Sequence, residues 1–456
     1  MKKKESNSML TRKIATNIFN KIFFENKTLN ASLDNNKYFN NLNQRDKSFI
    51  YMLLSLTMRR HGQIKIIFKK YLKKKLPKNK NNLSTILTLA TTEIIWLNTP
   101  DYAVTNSYVE LVKKIDKSYL SGFVNAILRN IIRDKEKIKK IMPDITENVP
   151  KKMYQSLMKY YGKKTTKKII EFFMIEPNLD VICSNKISSE QKQKLLSDLK
   201  GVEIFPNVIR SLYKGNIQSI YGYEDGLWWI QDFGSYLQFE HLYKKICLEY
   251  NKKDIQKIEI LDLCSAPGGK TSQILDKGLK VISVDNNRKR INKMNENFKR
   301  LKLNPPIICQ NVEELKFNKK FDVIVLDSPC SSSGTIRKNP DIFFRNKNFD
   351  YKKITQLQKL ILKKSSNFLK INGFLMYIVC SIDKTEGEEI INNFCKKNKN
   401  FKIVPIDKNI LNIKKFDNYN SDGFLRILPH SFNHHKNIDF NGSDCFFSAI
   451  IKKIKD

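Results

Sequence analysis

Hydrophobic residues along the first 135 positions recur every three or four residues. Ile14, Ile18 and Ile22 follow this spacing, and the alternation of apolar and polar residues that marks strands does not interrupt it. Such a period places the apolar side chains on one face of a helix. The pattern therefore predicts an all-α segment, which we assign to residues 1–140.

The pattern changes after Val149. Two helical stretches are followed by short strand-like runs at Leu179–Ser184 and Gly201–Phe205, and an amphipathic helix is predicted between them at Ser189–Leu199. We interpret residues 141–220 as a small α+β module.

Strands alternate with helices over the remaining residues, 221–456. This order is typical of a parallel sheet with helices on both of its faces. The predicted fold class is therefore α/β, with the all-α segment and the small α+β module ahead of the large sheet.

The charge of the chain points to a polyanionic partner. Among the 456 residues, 83 Lys and Arg stand against 45 Asp and Glu, a net charge of +38. Such an excess favours nucleic-acid binding, although the chain is also rich in Asn and Ile, and a bias toward Lys could supply part of it. The basic run Lys69–Lys78 is either a phosphate-contact patch or a solvated helix end.

Several classes of protein are disfavoured. The N-terminus lacks the apolar run of an export signal, and no run of about 18 apolar residues occurs, so neither secretion nor a membrane span is expected. The eight cysteines form no Cys-x-x-Cys pair; free thiols in a reducing cytoplasm are expected. His430, His434 and His435 lack partners at ligand spacing, so no metal site is expected.

A glycine-containing loop follows the predicted strand Ile258–Leu263. Its glycines allow the backbone to approach a ligand at the start of a helix. A P-loop is excluded because position 264 holds Cys instead of Gly, and the G-x-G-x-x-G pattern is also missing. The candidate cofactor-binding residues of this loop are Cys264, Ser265, Ala266, Pro267, Gly268, Gly269 and Lys270.

Asp285 follows the next predicted strand, Lys280–Val284, about twenty residues further on. A carboxylate at this place can accept both hydroxyls of a ribose. The loop and Asp285 together favour S-adenosyl-L-methionine as the cofactor. Alternatively, Asp285 caps the predicted helix Asn287–Leu301.

Two cysteines end predicted buried strands. Phe321–Leu326 leads into Asp327-Ser328-Pro329-Cys330, and Gly373–Val379 leads into Cys380. A lone cysteine after an apolar strand is usually a packing residue. Two cysteines at carboxyl strand ends beside a cofactor loop instead indicate covalent catalysis.

Several motifs carry a resemblance to a known family. In the large α/β region they are Asp262–Thr271, Asp327–Ser331, Ile336–Asp341 and Cys380-Ser381. These motifs resemble those of the RNA 5-methylcytosine methyltransferases of the NOL1/NOP2/Sun type. Upstream, Phe123–Arg129 resembles the NusB-like domain, and Gly222–Gly226 with Gln231-Asp232 resembles the junction into the catalytic domain.

The resemblance implies a Rossmann-like, class I S-adenosyl-L-methionine-dependent methyltransferase domain behind a NusB-like RNA-binding domain. Cys380 matches the nucleophile that adds to cytosine C6, and Cys330 matches the cysteine that resolves the adduct. Asp327 would hydrogen-bond the N3 edge of the base and border the cofactor. Asn311 stands where the family has an aspartate that contacts the cofactor, and its carbonyl can still accept from the adenine amino group.

The implied substrate is small-subunit ribosomal RNA, acted on by a monomer in the cytoplasm. A tRNA substrate is an alternative. A noncatalytic RNA-binding or antitermination-type factor is another, but it has no need of either thiol. An amino-group methyltransferase normally carries Asp or Asn, then Pro-Pro-aromatic, where this chain has Asp327–Cys330.

Overall fold

A computed structural model describes residues 7–74, 76, 81–115, 119–345, 349–407, 411, 413, 423–433 and 435–456. The chain forms two compact units. Unit 1 comprises Met1–Met174 with Asn339–Phe349, and unit 2 comprises Ile175–Lys338 with Asp350–Asp456. The domain boundaries placed at residues 140 and 220 stay predictions.

Every regular element among the described residues of unit 1 is helical. In addition to the single helical turn Ile342–Arg345, its helices are α1 (Asn7–Glu25), α2 (Leu29–Asp34), α3 (Lys37–Asn40), α4 (Gln44–Arg59), α5 (His61–Lys69), α6 (Asn81–Trp96), α7 (Asp101–Ile115), α8 (Leu120–Arg133), α9 (Lys135–Lys140) and α10 (Lys151–Phe173). The all-α prediction is confirmed.

The helical period explains the core of unit 1. Ile14, Ile18 and Ile22 of α1 are buried against α4, α6 and α7. Phe344, from the second segment of the unit, joins this core, and its ring centroid lies 5.3 Å from that of Phe23. Of the basic run, Lys75 and residues 77–80 lie outside the described residues.

A buried ion pair lies inside unit 1. The Arg12 guanidinium donates to Glu93 Oε2 at 2.5 Å, and the Tyr108 hydroxyl donates to Glu93 Oε1 at 2.6 Å. Burial raises the pKa of Glu93, and Arg12 opposes that rise. Each of these two charges is therefore stabilised by the other, because both side chains are buried and water cannot solvate either charge if its partner is removed.

Unit 2 begins with a four-stranded antiparallel sheet in the order β2-β3-β1-β4. Its elements are β1 (Leu179–Cys183), α11 (Ser189–Leu199), β2 (Val202–Phe205), β3 (Val208–Ser211) and β4 (Trp228–Ile230). Ser188 and Gln191 form a capping box that starts α11 where it was predicted. Strands β3 and β4 were not predicted.

The large sheet of unit 2 has the order β10-β12-β9-β8-β5-β6-β7, with β11 paired to β12. Its strands are β5 (Glu259–Leu263), β6 (Lys280–Asp285), β7 (Ile307–Cys309), β8 (Phe321–Asp327), β9 (Leu369–Val379), β10 (Phe401–Val404), β11 (Leu425–Ile427) and β12 (Phe446–Lys453). The accompanying helices are α12 (Phe233–Glu249), α13 (Lys252–Ile255), α14 (Gly269–Asp276), α15 (Arg288–Leu301), α16 (Tyr351–Asn367) and α17 (Glu388–Lys397).

The pairing within this sheet is mixed. Strands β5 to β9 pair in parallel, as expected for alternating strands and helices. Strand β12 runs antiparallel to both β9 and β10. The expectation of a parallel sheet therefore fails at this edge, because a continuous apolar run shows burial but carries no information on strand direction. The parallel part brings several strand ends to one edge.

The buried ion pair of unit 1 gives a stability prediction. Glu93→Ala leaves the Arg12 charge buried without its carboxylate, and we expect a loss of about 3–5 kcal/mol in the free energy of unfolding. Urea unfolding followed by circular dichroism measures this loss. The control is Glu110→Ala, which removes an exposed pair to Lys114 on α7 and should cost about 0.5 kcal/mol or less. Equal losses in the two variants would contradict the account.

Candidate active site

The glycine loop connects β5 to α14. Gly268 has a φ of 98°, which favours glycine, and α14 begins at the following residue. A Cβ on Gly268 would lie 2.9 Å from side-chain atoms of both Met294 and Phe298 of α15. Gly268 is therefore required by conformation and by close packing.

Asp285, at the end of β6, holds the glycine loop in place. Its Oδ2 accepts from the Ala266 amide at 3.0 Å, and its Oδ1 accepts from the Asn287 amide at 2.9 Å. The helix α15 is capped by Asn287, which accepts from the Arg290 amide at 3.1 Å. Asp285 thus connects the glycine loop to the end of β6. Each of its carboxylate oxygens accepts one backbone hydrogen bond and still has a lone pair for a further donor.

Asn311, just after β7, has other partners in the structure. Its Oδ1 accepts from Asn286 Nδ2 at 2.9 Å, and its Nδ2 donates to Glu314 Oε1 at 3.1 Å. The carbonyl expected to meet an adenine amino group therefore already receives a hydrogen bond from Asn286.

Lys270 and Asp327 form an ion pair at the sheet edge. Lys270 Nζ donates to Asp327 Oδ2 at 2.7 Å and to Ser235 Oγ at 3.1 Å. Its side chain is only 6% exposed, whereas that of Asp327 is 32% exposed. The lysine therefore fixes one oxygen of a carboxylate that remains accessible from the cavity.

Cys330 and Cys380 lie side by side. Their Sγ atoms are 3.3 Å apart, and both are free thiols. Strands β8 and β9 deliver them, because these neighbours pair in parallel with Asp327 opposite Ile378. The hydrogen bond to Cys380 and burial raise the pKa of Cys330 well above its usual value. At neutral pH Cys330 is therefore a neutral thiol.

Gly334 fixes the backbone beside Cys380. Its amide donates to the Cys380 carbonyl at 3.0 Å, and its carbonyl accepts from the Cys445 amide at 2.8 Å. A Cβ on Gly334 would lie 2.4 Å from the Cys445 carbonyl oxygen. No side chain fits at this position without moving the backbone on one side.

A cavity of about 590 Å³ opens beside the glycine loop and Asp327. Its lining includes the loop residues Ser265, Ala266, Pro267 and Gly269, together with Lys270 and Asp327. One face of α15 forms a largely basic wall, with Arg290, Lys293, Glu296, Asn297 and Arg300. The predicted residues Cys264, Gly268, Asp285 and Asn311 are not in this lining, and neither are the two catalytic candidates Cys330 and Cys380.

The cavity also contains a charge cluster that the sequence did not predict as functional. Lys338 Nζ donates to Asp232 Oδ2 at 3.0 Å and lies 2.9 Å from Asp444 Oδ2. Burial raises the pKa of Asp444 to about 6, and Lys338 opposes this rise. Asp232 and Lys338 are 106 residues apart in the sequence. Each lies in a motif that could be noticed in the sequence, but the contact between them could not be predicted.

Asp262 lies buried beneath the loop. Its Oδ2 accepts from Thr271 Oγ1 at 2.6 Å, and Oδ1 has no hydrogen-bond partner within the described residues. Burial raises the pKa of Asp262 to about 7. An unsatisfied buried carboxylate oxygen in the cavity lining is a place for a donor from a ligand.

Neither a metal cluster nor a membrane span is found in the described part of the chain. No group of three or more His, Cys, Asp or Glu residues there could hold a metal ion. Of the three histidines considered above, His434 lies outside the described residues. No described helix is long and apolar enough to cross a membrane.

Comparisons with known proteins agree with this architecture. Residues 246–450 match the family model described as 16S rRNA methyltransferase RsmB/F, and residues 9–133 match that of the NusB family. The ribosomal RNA small subunit methyltransferase B of Photorhabdus laumondii subsp. laumondii is 26% identical over 459 residues, which is 98% of this chain and 99% of the relative.

Two solved structures support the fold. The crystal structure of PH0851 superposes with a TM-score of 0.72 at 19% identity, covering 99% of this chain and 100% of that one. NSun6 from Pyrococcus horikoshii, solved with SFG, gives a TM-score of 0.52 at 18% identity, covering 67% of this chain and 99% of that one.

Fold and motifs together define a methyltransferase with a Rossmann-like domain and an N-terminal NusB domain. The chain is similar to the 16S rRNA methyltransferase RsmB/F family over residues 246–450, and to the relative from Photorhabdus laumondii over nearly its whole length.

The close approach at Gly334 gives a second prediction. Gly334→Ala forces its Cβ against the Cys445 carbonyl, and we expect a loss of about 1–3 kcal/mol, the usual cost of overpacking. Urea unfolding followed by circular dichroism measures this loss. Gly122→Ala is the control, because nothing lies within 4 Å of its added Cβ. An unchanged midpoint in Gly334→Ala would contradict the packing argument.

Asp262 gives a prediction about pH. Because its pKa is raised from 3.8 to about 7, the unfolded chain ionises first, and the free energy of unfolding falls as the pH rises through that window. Asp262→Asn removes the titration but keeps an oxygen acceptor for Thr271. The variant should exceed wild type in stability at pH 8 by up to about 4 kcal/mol, and the gain should shrink toward pH 4. Urea titrations at both pH values measure the difference; a gain independent of pH would count against the assignment.

Proposed function

We propose that this chain transfers a methyl group from S-adenosyl-L-methionine to C5 of a cytosine in small-subunit ribosomal RNA, through a covalent bond between Cys380 and C6. The observation that carries the proposal is the pair of free thiols 3.3 Å apart at the carboxyl ends of neighbouring strands. A purely RNA-binding protein has no need of either thiol, whereas a reaction that forms and breaks a carbon–sulfur bond can use one thiol as the nucleophile and the other in release.

The chemistry begins at C6. Cytosine C5 is a poor nucleophile until a thiolate adds to C6 and makes C5 enamine-like, so Cys380 must attack as the thiolate. Asp327 borders the cavity, and its carboxyl group, when protonated, can donate to N3 of the base as negative charge develops there. Lys270 holds the Asp327 carboxylate at 2.7 Å, which keeps it oriented.

The second half of the reaction requires loss of the C5 proton and cleavage of the bond to Cys380. Cys330 is the group we assign to this release, either as the base for the C5 proton or by assisting elimination. Because its raised pKa keeps Cys330 protonated in the free protein, it acts as this base only after its own proton has been lost to solvent, and its thiolate is then a strong base. The base itself must leave its stack to reach Cys380.

The cofactor fits the residues around the glycine loop. The segment Cys264–Lys270 and the carboxylates of Asp285 and Asp327 would hold the methionine and ribose parts, with Asn311 toward the adenine. Asp262 Oδ1, buried and without a partner in the described residues, offers an acceptor for the methionine ammonium group. The sulfonium methyl of the cofactor supplies the transferred carbon.

The RNA assignment rests on charge and on relatives. The net charge is +38, and the α15 face in the cavity includes Arg290, Lys293 and Arg300, which suits a phosphate backbone. The curated relative from Photorhabdus laumondii is named for small-subunit ribosomal RNA, and the NusB-family match supports RNA binding upstream. We therefore favour ribosomal RNA over tRNA.

Removal of each cysteine tests the proposal. Cys380→Ala should lower methyl transfer from labelled S-adenosyl-L-methionine to unmodified small-subunit rRNA by on the order of 10³ or more, as expected for a lost nucleophile. Cys330→Ala should accumulate an RNA adduct that survives a denaturing gel, because attack continues while release fails.

Cys309→Ala is the matched control, since Cys309 is exposed and has no role in the mechanism. It should retain wild-type methylation. Methylation that persists in Cys380→Ala would overturn the assignment of Cys380 as the nucleophile. Labelled tRNA with unlabelled rRNA would overturn the assignment of rRNA as the substrate.

A further inference from the structure

A buried carboxylate lies beside both thiols and has no part in the mechanism above. Glu386 has 0% relative exposure. Its Oε1 accepts from Ser381 Oγ at 2.6 Å, and its Oε2 accepts from the Ser331 amide at 2.8 Å. One carboxylate is therefore bonded to the residue that follows each cysteine.

Gln358 of α16 extends this contact to the other side of Cys330. Its Nε2 donates to Glu386 Oε2 at 3.2 Å and to the Pro329 carbonyl at 2.9 Å. The Glu386 backbone is itself anchored, because its carbonyl accepts from the Tyr377 hydroxyl at 2.8 Å. Glu386 and Gln358 thus hold the chain both before and after Cys330.

The two cysteines depend on this carboxylate unequally. Cys380 directly follows β9, which is paired on both sides, and its carbonyl accepts from the Gly334 amide at 3.0 Å. The Arg426 guanidinium also donates to the Ser381 carbonyl at 2.6 Å. Cys330 lies in a loop beyond the end of β8, where the flanking backbone is held by the Ser331 amide bond to Glu386 and by the Pro329 carbonyl bond to Gln358. Ser331 Oγ also lies 3.2 Å from Ser381 Oγ.

We infer that Glu386 is a positioning residue that holds Cys330 against Cys380, and that its loss impairs release of the methylated base more than attack on it. The release step rests on the proposed function; the contact between the thiols does not. Glu386 also contributes, after the bond to Cys380 and burial, to the raised pKa of Cys330.

Three variants separate geometry from charge. Glu386→Ala removes every side-chain contact of the carboxylate. Glu386→Gln removes the charge but keeps an oxygen for the Ser331 amide and an amide group for Ser381 Oγ. Glu389→Ala is the matched control, because Glu389 is an exposed acid three residues further on in α17.

The first measurement uses free protein and a short bis-electrophile that links neighbouring thiols, with the product mapped by mass spectrometry. Glu386→Ala should slow the Cys330–Cys380 cross-link by about tenfold, because the Ser331 amide next to Cys330 loses its hydrogen bond to a charged group. Glu386→Gln should stay within about twofold of wild type because its contacts are retained. Glu389→Ala should match wild type.

The second measurement follows methylation and the denaturant-resistant adduct on small-subunit rRNA. Glu386→Ala should accumulate adduct as Cys330→Ala does, and Glu386→Gln should release it. If Glu386→Ala fails to fold by circular dichroism, Gln358→Leu, which removes the donor to Pro329 and Glu386, should show the same slowed cross-link and retained adduct.

The inference is overturned if Glu386→Ala cross-links its two cysteines as fast as wild type. It is also overturned if the folded Glu386→Ala protein loses both methylation and the RNA adduct, because attack would then have failed as well as release. If the wild type makes no 5-methylcytosine, the proposed function is refuted. If Glu386→Ala still cross-links slowly in that case, the positioning role of Glu386 is nevertheless supported.

Discussion

The parallel pairing of β8 with β9 is the constraint on which the site depends. Asp327 lies opposite Ile378, and the Ser328 amide donates to the Ile378 carbonyl at 2.9 Å. Each strand then ends within three residues of a cysteine, so the register sets the distance between the thiols. A slip of one residue would turn alternate side chains to the opposite face of the sheet and separate them.

Much of this arrangement could be predicted because it follows from single strands. An apolar run that ends in a polar loop predicts where a strand stops, and open α/β sheets bind ligands at carboxyl strand ends. That rule was enough to select Asp285, Asp327, Cys330 and Cys380 for one edge. The glycine loop could also be predicted, because its conformation requires glycine: Gly268 has a positive φ and no room for a Cβ.

The remaining features depend on contacts between distant segments, which a single sequence does not encode locally. Glu386 looked like one acid among several near the start of a helix, yet it is buried between two loops. Lys338 meets Asp232 across 106 residues. Strand β12 is buried on both faces, so its antiparallel direction became visible only through its pairing with β9.

Several charged side chains at or near the site are buried and held in fixed positions by hydrogen bonds and ion pairs. Asp262, Glu386 and Asp444 are buried, where unpaired charge is costly and each hydrogen bond is directional. Lys338, whose side chain is 36% exposed, pairs with both Asp444 and Asp232. Such a surrounding fixes the positions of groups before a substrate arrives, which is how enzymes avoid reorganisation during reaction. The same cavity carries a basic helix face suited to a phosphate backbone.

Wild-type protein with an rRNA fragment containing 5-fluorocytosine tests the central claim most directly. Fluorine at C5 leaves no proton to remove, so after methyl transfer the carbon–sulfur bond cannot be broken, and the adduct can be mapped by mass spectrometry. The account predicts one modified peptide, carrying the methylated base on Cys380. A base attached to Cys330, or methyl transfer with no adduct at all, would contradict it.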